Sequence, residues 1–501
     1  MKIVRFHSYA RVAPILLALA AQPLSAQTPS LIADSAAGTT LSRSTEAFRI
    51  ASSVLNQTRT IRIALPASFA RTGVERRYPV MVVTDGAWLL GKVVAASDEL
   101  SRNGQIPETI IVAIENIDDY RGRVHDLTPP GLSVSGSSLN EGGDRFLDFI
   151  ERELLPAIDR QFRGGTPRVF VGTSSGGILA TYAAATRSTY AAVVSLDAPI
   201  TLGQNWLAKK LIARATTTSG SPVRYVSYDA RFGWPEAEWE KLVAAAPSSW
   251  RLQREQLKLE GHETMQLLGA YLGLRAAFGD YSRFAAPIAP TTSILPYYEK
   301  VGASLGAPVL PPRALIQMVV EDLLMEGRGA AAREAYNTLV FGYGAPADSV
   351  KLLAQIADVE RRPPPTETVE GLLATPFPTP SEAGNYIGEW SGETWHTEDE
   401  PRGTQILRIR VENGRVVGET VHPDAPPEYR VQRWAYMRIT PGGLTWGYMN
   451  GMRPRGVILH EGTMKNGALT GQSRFGGINF TRPDGKPGAL QYFTFKRVKS
   501  S

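Results

Sequence analysis

Short runs of apolar, mostly β-branched residues recur along the first half of the chain and restrict its fold more than any other feature. Two examples are VMVV (80–83) and IIVAI (110–114). Such runs suit strands that are buried on both faces of a parallel sheet. The pattern predicts seven strands in this half, at Thr60–Ala64, Val80–Thr84, Thr109–Glu115, Arg168–Gly172, Ala192–Asp197, Arg224–Tyr228 and Gln256–Glu260.

Helix-like segments alternate with these strands, notably Arg145–Arg160 and Pro235–Ala244. Alternation of strands and helices indicates an α/β domain, with a mostly parallel sheet and helices on both faces. We place this domain at residues 45–285.

The start of the sequence has the features of an export signal. Lys2, Arg5 and Arg11 precede and flank a short apolar run at 12–21, and small residues follow at Ser25 and Ala26. This pattern predicts a signal peptide over 1–26, followed by a leader over 27–44. We therefore expect export to the periplasm or the exterior of a bacterial cell.

The net charge and the lack of Cys limit the partners and metal sites that this chain can have. The formal net charge is +6, and the three basic residues of the signal leave +3 without it, with no block of Lys and Arg. We therefore expect no nucleic-acid partner and, after signal cleavage, no membrane span. The chain has no Cys, which excludes disulfides and Cys zinc sites. We predict no cofactor and no metal, and the oligomeric state stays open.

The second half divides into three predicted parts. Residues 290–360 have helical periodicity with short connections, similar to tetratricopeptide hairpins. A Pro-rich linker covers 361–383. Residues 384–501 are β-rich and predict a small barrel or sandwich, with a weak lipocalin-like feature at Gly388-Glu389-Trp390.

The clearest chemical motif is Gly172-Thr173-Ser174-Ser175-Gly176, between a predicted strand and a helix of small residues. G-x-S-x-G at a strand-to-helix turn is typical of a nucleophile elbow, in which a strained turn exposes the Ser hydroxyl. The same string recurs at 302–306, but no buried strand precedes it. We therefore predict Ser174 as a nucleophile and Ser304 as part of a turn between helices.

A serine nucleophile needs a base, and in this kind of fold the chain order is Ser, acid, His. Of six histidines, only His262 follows Ser174 within the α/β domain. The acid is less restricted by the sequence. Asp229, at the end of RYVSY, is the preferred residue, and Glu236, Glu238 and Asp197 remain alternatives.

Backbone N–H groups would stabilise the negative oxygen that forms when Ser174 attacks a carbonyl group. We predict donors at Ser175 and at Ala87, which follows the strand that ends near Thr84. Gly86 permits the tight turn before Ala87, and Trp88 is a candidate wall of the pocket.

Taken together, the order and spacing of these motifs resemble the putative-esterase branch of the α/β-hydrolases, which includes ferric-enterobactin esterases, feruloyl esterases and S-formylglutathione hydrolase. The similar segments are TRTIRIALP (58–66), YPVMVVTDG (78–86), IIVAIEN (110–116), RVHDLTP (123–129), 142–163, the elbow and 261–281.

The resemblance implies an α/β-hydrolase fold and a serine esterase with Ser174 and His262 as nucleophile and base. It also places Arg123 and Asp126 near the pocket. The implied substrate is a small-molecule ester: a siderophore, polyphenol, acylated-sugar or simple ester. An acyltransferase using the same residues, or a binding protein on a hydrolase scaffold, remains an alternative.

Overall fold

The computed structural model describes residues 45–71, 73–117, 120–132, 141–217, 223–282, 285, 291–364, 368–396, 402–427, 430–449, 457–474 and 489–498. The predicted signal peptide (1–26) and leader (27–44) lie outside these residues. Among the described helices, none is both long enough and apolar enough to cross a membrane.

Eight strands form the first sheet, in the order β1-β2-β4-β3-β5-β6-β7-β8. The pairs from β4 to β8 are parallel, whereas β1 pairs with β2, and β2 with β4, in antiparallel orientation. The strands are β1 Thr45–Ser52, β2 Gln57–Ala64, β3 Tyr78–Val83, β4 Ile110–Ile114, β5 Gly164–Thr173, β6 Ala192–Leu196, β7 Arg224–Asp229 and β8 Arg251–Gln256.

Helices cover both faces of this sheet. Along β3, Val80 and Val82 belong to one hydrophobic core, and Met81 and Val83 belong to another. This explains the continuous apolar runs and confirms the predicted α/β architecture. The helices are α1 Gly86–Arg102, α2 Tyr120–Leu127, α3 Gly143–Phe149, α4 Leu155–Gln161, α5 Ser175–Thr186, α6 Leu202–Thr217, α7 Glu236–Ala245 and α8 Met265–Ala277, with a π-helical stretch, Ile150–Leu154, between α3 and α4.

The two edge strands depart from the sequence prediction. The strand predicted at 256–260 lies instead at Arg251–Gln256, and β1 was not predicted. Both strands are polar and largely exposed, because an edge strand on the rim of the sheet buries little of its surface. Apolar runs therefore do not identify them.

Five helices follow the α/β sheet. They are α9 Ile294–Ser304, α10 Arg313–Met325, α11 Gly329–Tyr343, α12 Ser349–Glu360 and α13 Val369–Ala374. Ile294, Tyr298 and Val320 share a hydrophobic core with Val83 of β3. This helical region therefore packs directly on the α/β sheet. Ser304 is the last residue of α9, and a turn through Leu305 and Gly306 follows it.

A second, antiparallel sheet forms the C-terminal part, in the order β12-β11-β10-β9-β17-β16-β15-β14-β13. Its strands are β9 Gly388–Trp395, β10 Gly403–Glu412, β11 Arg415–Val421, β12 Val431–Arg433, β13 Tyr436–Thr440, β14 Gly443–Met449, β15 Val457–Lys465, β16 Ala468–Arg474 and β17 Ala489–Arg497. The sheet curls around an aromatic core into a half-barrel, which agrees with the predicted β-rich C-terminal region.

The two edge strands of the half-barrel are consecutive in the chain. Only Trp434 and Ala435 separate β12 from β13. The N–H of Trp434 donates to the carbonyl of Gly418 in β11, and the N–H of Ala435 donates to the carbonyl of Gly447 in β14. One stretch of chain, 431–440, therefore forms both edges of the curled sheet.

Candidate active site

Ser174 occupies a strained turn between β5 and α5. Its φ is 56° and its ψ is −120°, a backbone conformation that non-glycine residues rarely adopt. Its N–H donates to the carbonyl of Leu196, the last residue of β6, at 2.9 Å, and its carbonyl accepts from the N–H of Ile178 in α5 at 3.0 Å. The neighbouring strand and helix thus hold the serine in place.

The two glycines of the motif allow the close approach that this turn needs. A Cβ on Gly172 would lie 2.1 Å from the carbonyl oxygen of Gly176. A Cβ on Gly176 would lie 2.3 Å from Oγ1 of Thr84, directly after β3. A side chain at Gly172 would therefore push β5 away from the N-terminus of α5, and one at Gly176 would push that N-terminus away from the end of β3.

The turn from β3 into α1 supplies the second predicted donor. Asp85 caps α1 with a left-handed backbone, φ 58°, and its carbonyl accepts from the N–H groups of Trp88 and Leu89. Ala87 lies in the first turn of α1 and Ser175 in the first turn of α5, where backbone N–H groups have no acceptor within the helix. Both remain predicted donors to a negative oxygen.

Arg123 ties these two helix N-termini together. Its guanidinium donates to both carboxylate oxygens of Asp85, at 2.6 and 2.9 Å, and to Oγ of Ser175 at 3.3 Å. It also lies 5.3 Å from the ring of Trp88, whose side chain is 45% exposed. Asn116 donates to the same carboxylate at 2.7 Å. Sequence reasoning missed Asp85, although its position after β3 and before Gly86 was visible.

Asp126, the other residue that the resemblance placed near the pocket, forms a buried ion pair with Arg59. The Nη1–Oδ2 distance is 2.7 Å, and both side chains are 2% exposed. The pair joins α2 to β2. Its contacts point to a structural role, because a buried ion pair that loses one partner is strongly destabilised.

His262 lies in the turn between β8 and α8, and its partner is Asp197. Nδ1 of His262 is 2.6 Å from Oδ2 of Asp197, which is fully buried at the end of β6. Phe232, which is 39% exposed, packs edge-on against the imidazole, with ring centroids 5.4 Å apart. The imidazole is therefore oriented by a carboxylate and an aromatic ring.

The Asp197 carboxylate has a full set of donors. Oδ1 accepts from the backbone N–H groups of Ala230, Arg231 and Phe232 at 2.8, 2.9 and 2.7 Å. Burial raises the pKa of this carboxyl group, but the hydrogen bonds from His262 and from the three N–H groups outweigh burial and lower it overall. Asp197 is therefore held as a carboxylate.

The prediction that Asp229 is the partner of His262 is wrong, because the Asp229 carboxyl group contacts other side chains. Oδ1 of Asp229 accepts from Oγ of Ser227 at 2.8 Å, and Oδ2 accepts from Nε of Arg254 at 3.3 Å. Burial raises the pKa of Asp229 to about 6, despite these two contacts and a hydrogen bond from the N–H of Trp234. Asp197 and Asp229 end adjacent strands at the same level, but Asp197 has a left-handed φ of 46°. The sequence pattern does not reveal that local turn.

The two glutamates that remained alternatives lie in α7 and make other contacts. Glu236 pairs with Arg254 at 2.8 Å, and Glu238 pairs with Lys241 at 2.9 Å. The Glu236 side chain is 72% exposed. Across the ranges that the structure describes, no cluster of three or more His, Asp or Glu side chains could hold a metal ion.

Contacts of helices α5 and α8 with the end of β6 bring the serine and histidine turns to one edge of the sheet. A Cβ on Gly177, near the start of α5, would lie 2.9 Å from Cβ of Ala198, directly after Asp197. A Cβ on Gly269 of α8 would lie 3.1 Å from Leu196. The ends of β5 and β6 and the start of α8 thus converge beside Asp197.

Comparison with known proteins finds a family model that matches part of the chain. Residues 52–245 match the family model described as putative esterase. None of the curated proteins compared with the chain matches it.

Several solved structures are similar to the chain. An IroE-like serine hydrolase from Shewanella oneidensis has a TM-score of 0.51 and 26% identity, covering 59% of this chain and 99% of its own. An uncharacterised protein from Capnocytophaga ochracea has a TM-score of 0.46 and 18% identity, and the match covers 66% of this chain and 96% of that protein. The siderophore hydrolase EstB from Aspergillus nidulans has a TM-score of 0.39 and 18% identity, and the match covers 50% of this chain and 96% of that protein.

The family match covers β2 through α7, including the Ser174 turn and Asp197. The match to the putative-esterase family model agrees with the motifs of the sequence, and the comparisons support ester hydrolysis as the activity.

Proposed function

We propose that the protein is a serine esterase that hydrolyses carboxylic esters through a triad of Ser174, His262 and Asp197. The observation that carries this proposal is the buried Asp197 carboxylate, 2.6 Å from Nδ1 of His262, at the sheet edge where Ser174 holds its strained turn. Asp197 replaces Asp229, the acid preferred from the sequence, because Asp229 contacts Arg254 and Ser227.

The reaction follows from these contacts. Asp197 accepts the Nδ1 proton of His262 in a hydrogen bond, which leaves Nε2 free to take the proton from Oγ of Ser174. Oγ attacks the ester carbonyl carbon, and the N–H groups of Ser175 and Ala87 stabilise the negative oxygen. His262 then returns the proton to the departing alcohol.

The acyl group remains on Ser174 until water removes it. His262 takes a proton from water, and the resulting hydroxide attacks the acyl carbon. The tetrahedral species collapses, the carboxylic acid leaves, and Ser174 recovers its proton from His262. The ion pair between Arg123 and Asp85 would keep the two predicted N–H donors in register during both steps.

Aromatic side chains on two sides of the site suit a small-molecule ester. Trp88 and Phe232 are large and partly exposed, and each lies beside a functional group: Trp88 beside Arg123, and Phe232 beside His262. Siderophore, polyphenol, acylated-sugar and simple esters are the proposed substrate range.

Labelling of Ser174 by a fluorophosphonate tests this function directly. We expect one label on Ser174, identified by peptide mass spectrometry, together with hydrolysis of 4-nitrophenyl esters. Ser174→Ala should lose both, whereas Ser304→Ala should keep both, because the Ser304 hydroxyl accepts from Arg224 and donates to the carbonyl of Val301, away from the proposed triad. Full activity in Ser174→Ala would overturn the proposal. Ester product in place of free acid when an alcohol is added would indicate acyl transfer.

We also propose export, with cleavage of the signal peptide after Ala26. Expression in a bacterial host should give a periplasmic or secreted protein whose first residue is Gln27, measured by N-terminal sequencing. Retention of Met1 in the cytoplasm would contradict this proposal.

A further inference from the structure

Three buried polar atoms form a row across the half-barrel and have no hydrogen-bond partner within the described part of the structure. They are Nε1 of Trp446 in β14, Nε2 of His460 in β15 and Oγ of Ser473 in β16. Trp446 pairs directly with His460, and His460 pairs directly with Ser473. Residues directly opposite each other in antiparallel strands share a face, so the three side chains lie together.

These atoms are unusual because burial of polar groups without partners is costly. The exposed fractions of the three residues are 0%, 2% and 1%. The two other buried tryptophans of the half-barrel are satisfied: Nε1 of Trp434 donates to Oγ1 of Thr420, and Nε1 of Trp390 donates to the carbonyl of Tyr386, each at 2.9 Å. A buried donor or acceptor left unpaired costs about 1–3 kcal/mol. Three such groups side by side therefore point to a bound partner.

The two ends of the half-barrel differ. At the start of β9 and the end of β17, Trp390 is buried and the guanidinium of Arg497 lies 5.4 Å from its ring. The polar row lies towards the opposite end, where Tyr448 is 5.4 Å from the ring of His460. His422 contacts Tyr448 edge-on at 6.2 Å. Polar groups thus gather towards one end, whereas the apolar core residues Leu407 and Leu469 lie with Trp390 towards the other.

The walls beside the row are aromatic. Trp446 stacks on His460, with centroids 5.0 Å apart and planes 9° apart, and Phe493 lies 5.2 Å from Trp446. Burial, with a further contribution from the nearby His422, lowers the pKa of His460 to about 3. His460 is therefore neutral at ordinary pH. Trp446 can only donate, so an oxygen acceptor is its natural partner.

We propose that this end of the half-barrel binds an uncharged, largely apolar small molecule that carries a hydroxyl or carbonyl oxygen. The oxygen would accept from Trp446 and exchange hydrogen bonds with His460 and Ser473, while the aromatic rings cover the apolar part. An ionised ligand is disfavoured because none of the three groups carries a charge to pair with it. This site is separate from the Ser174 turn and does not depend on the proposed esterase activity.

Binding can be tested on the full chain carrying Ser174→Ala, which prevents turnover. The probes are 1-naphthol, 4-propylphenol and 1-octanol, titrated by isothermal calorimetry, with naphthalene and 1-naphthoate as matched comparisons. We expect at least one alcohol to bind. We expect naphthalene to bind about fivefold more weakly than 1-naphthol, because it lacks the oxygen, and 1-naphthoate to bind more weakly still.

Ser473→Ala distinguishes a ligand site from a packing defect. The free variant should unfold at the same temperature or higher, because an unpaired buried hydroxyl is removed, yet its affinity for the alcohol should fall about fivefold. Gln472→Ala is the matched control, since neighbouring strand residues point to opposite faces. In ¹⁵N-histidine-labelled protein, the alcohol should shift the His460 resonance.

Three results would overturn the proposal. They are absence of binding by all three alcohols at millimolar concentration, unchanged affinity in Ser473→Ala, and an unmoved His460 resonance at saturation. Any of them would leave internal water as the partner of the row. Each is independent of whether Ser174 reacts with a fluorophosphonate, so failure here and failure of the esterase proposal are separate.

Discussion

The ends of β6 and β7 carry two buried aspartates at the same level of one sheet, and their surroundings give them opposite properties. Asp197 accepts three backbone N–H groups and contacts His262, and these hydrogen bonds lower its pKa. Asp229 accepts from the Ser227 hydroxyl and from the N–H of Trp234 and has one long contact to Arg254, and burial raises its pKa to about 6. The hydrogen-bond donors around a carboxyl group therefore determine its pKa, whereas its position at the end of a strand does not.

Asp197→Asn should have the largest effect of any change at these two strand ends. An amide cannot hold the required tautomer of His262, so kcat for a 4-nitrophenyl ester should fall by about 10⁴. Asp229→Asn is the matched control and should keep kcat/KM within about fivefold. The comparison fails if the two variants lose activity equally.

Asp229→Asn should instead change the pH dependence of stability. The native pKa of about 6 lies above the usual value of 3.8, so the folded state binds more protons than the unfolded state between these values. This carboxyl group therefore makes the wild type lose stability as the pH rises through that interval. Relative to Asp229→Asn, the unfolding free energy of the wild type should fall by about 2 kcal/mol from pH 4 to pH 7. Urea unfolding at both pH values measures it; a constant difference would contradict it.

Gly233→Ala tests how tightly the loop after β7 packs on Asp229. The φ of Gly233 is 138°, and a Cβ there would lie 2.4 Å from the carboxyl carbon of Asp229. We expect a loss of about 2 kcal/mol in urea unfolding. Gly306→Ala is the control, because it has a positive φ of 67° but no atom within 4 Å of the added Cβ. Equal losses would show that backbone strain alone is responsible.

The smallest effect is expected at the two glutamates of α7. Glu236→Gln removes an exposed ion pair with Arg254, and Glu238→Gln removes one with Lys241. Stability should change by less than about 0.5 kcal/mol and kcat/KM should not change. A large activity loss in either variant would reopen the assignment of Asp197.

The sequence reveals those parts of this molecule that depend on burial or on turn geometry. Continuous apolar runs predicted central strands such as β3 and β4, because both faces of those strands are covered. The glycines around Ser174 predicted a tight turn because the backbones approach closely there. The polar edge strands β1 and β8 buried too little surface to be recognised.

The choice between Asp197 and Asp229 depends on a single left-handed residue and on three N–H groups from a loop 33 to 35 residues away. Neither the left-handed residue nor the three N–H groups produce a periodic pattern in the sequence. The polar row of the half-barrel was equally hidden, because Trp446, His460 and Ser473 are neighbours only through strand register.

The stretch 431–440 also affects how the protein behaves at high concentration. Since this one segment pairs with β11 and then with β14, the half-barrel has terminal strands of only three and five residues, against eight and six for β1 and β8. Short terminal strands offer few unpaired N–H and C=O groups to another molecule. The α/β sheet has exposed charged residues along its edge strand instead, at Arg251 and Glu255 of β8. Resistance to intermolecular strand addition is thus achieved geometrically in one sheet and electrostatically in the other.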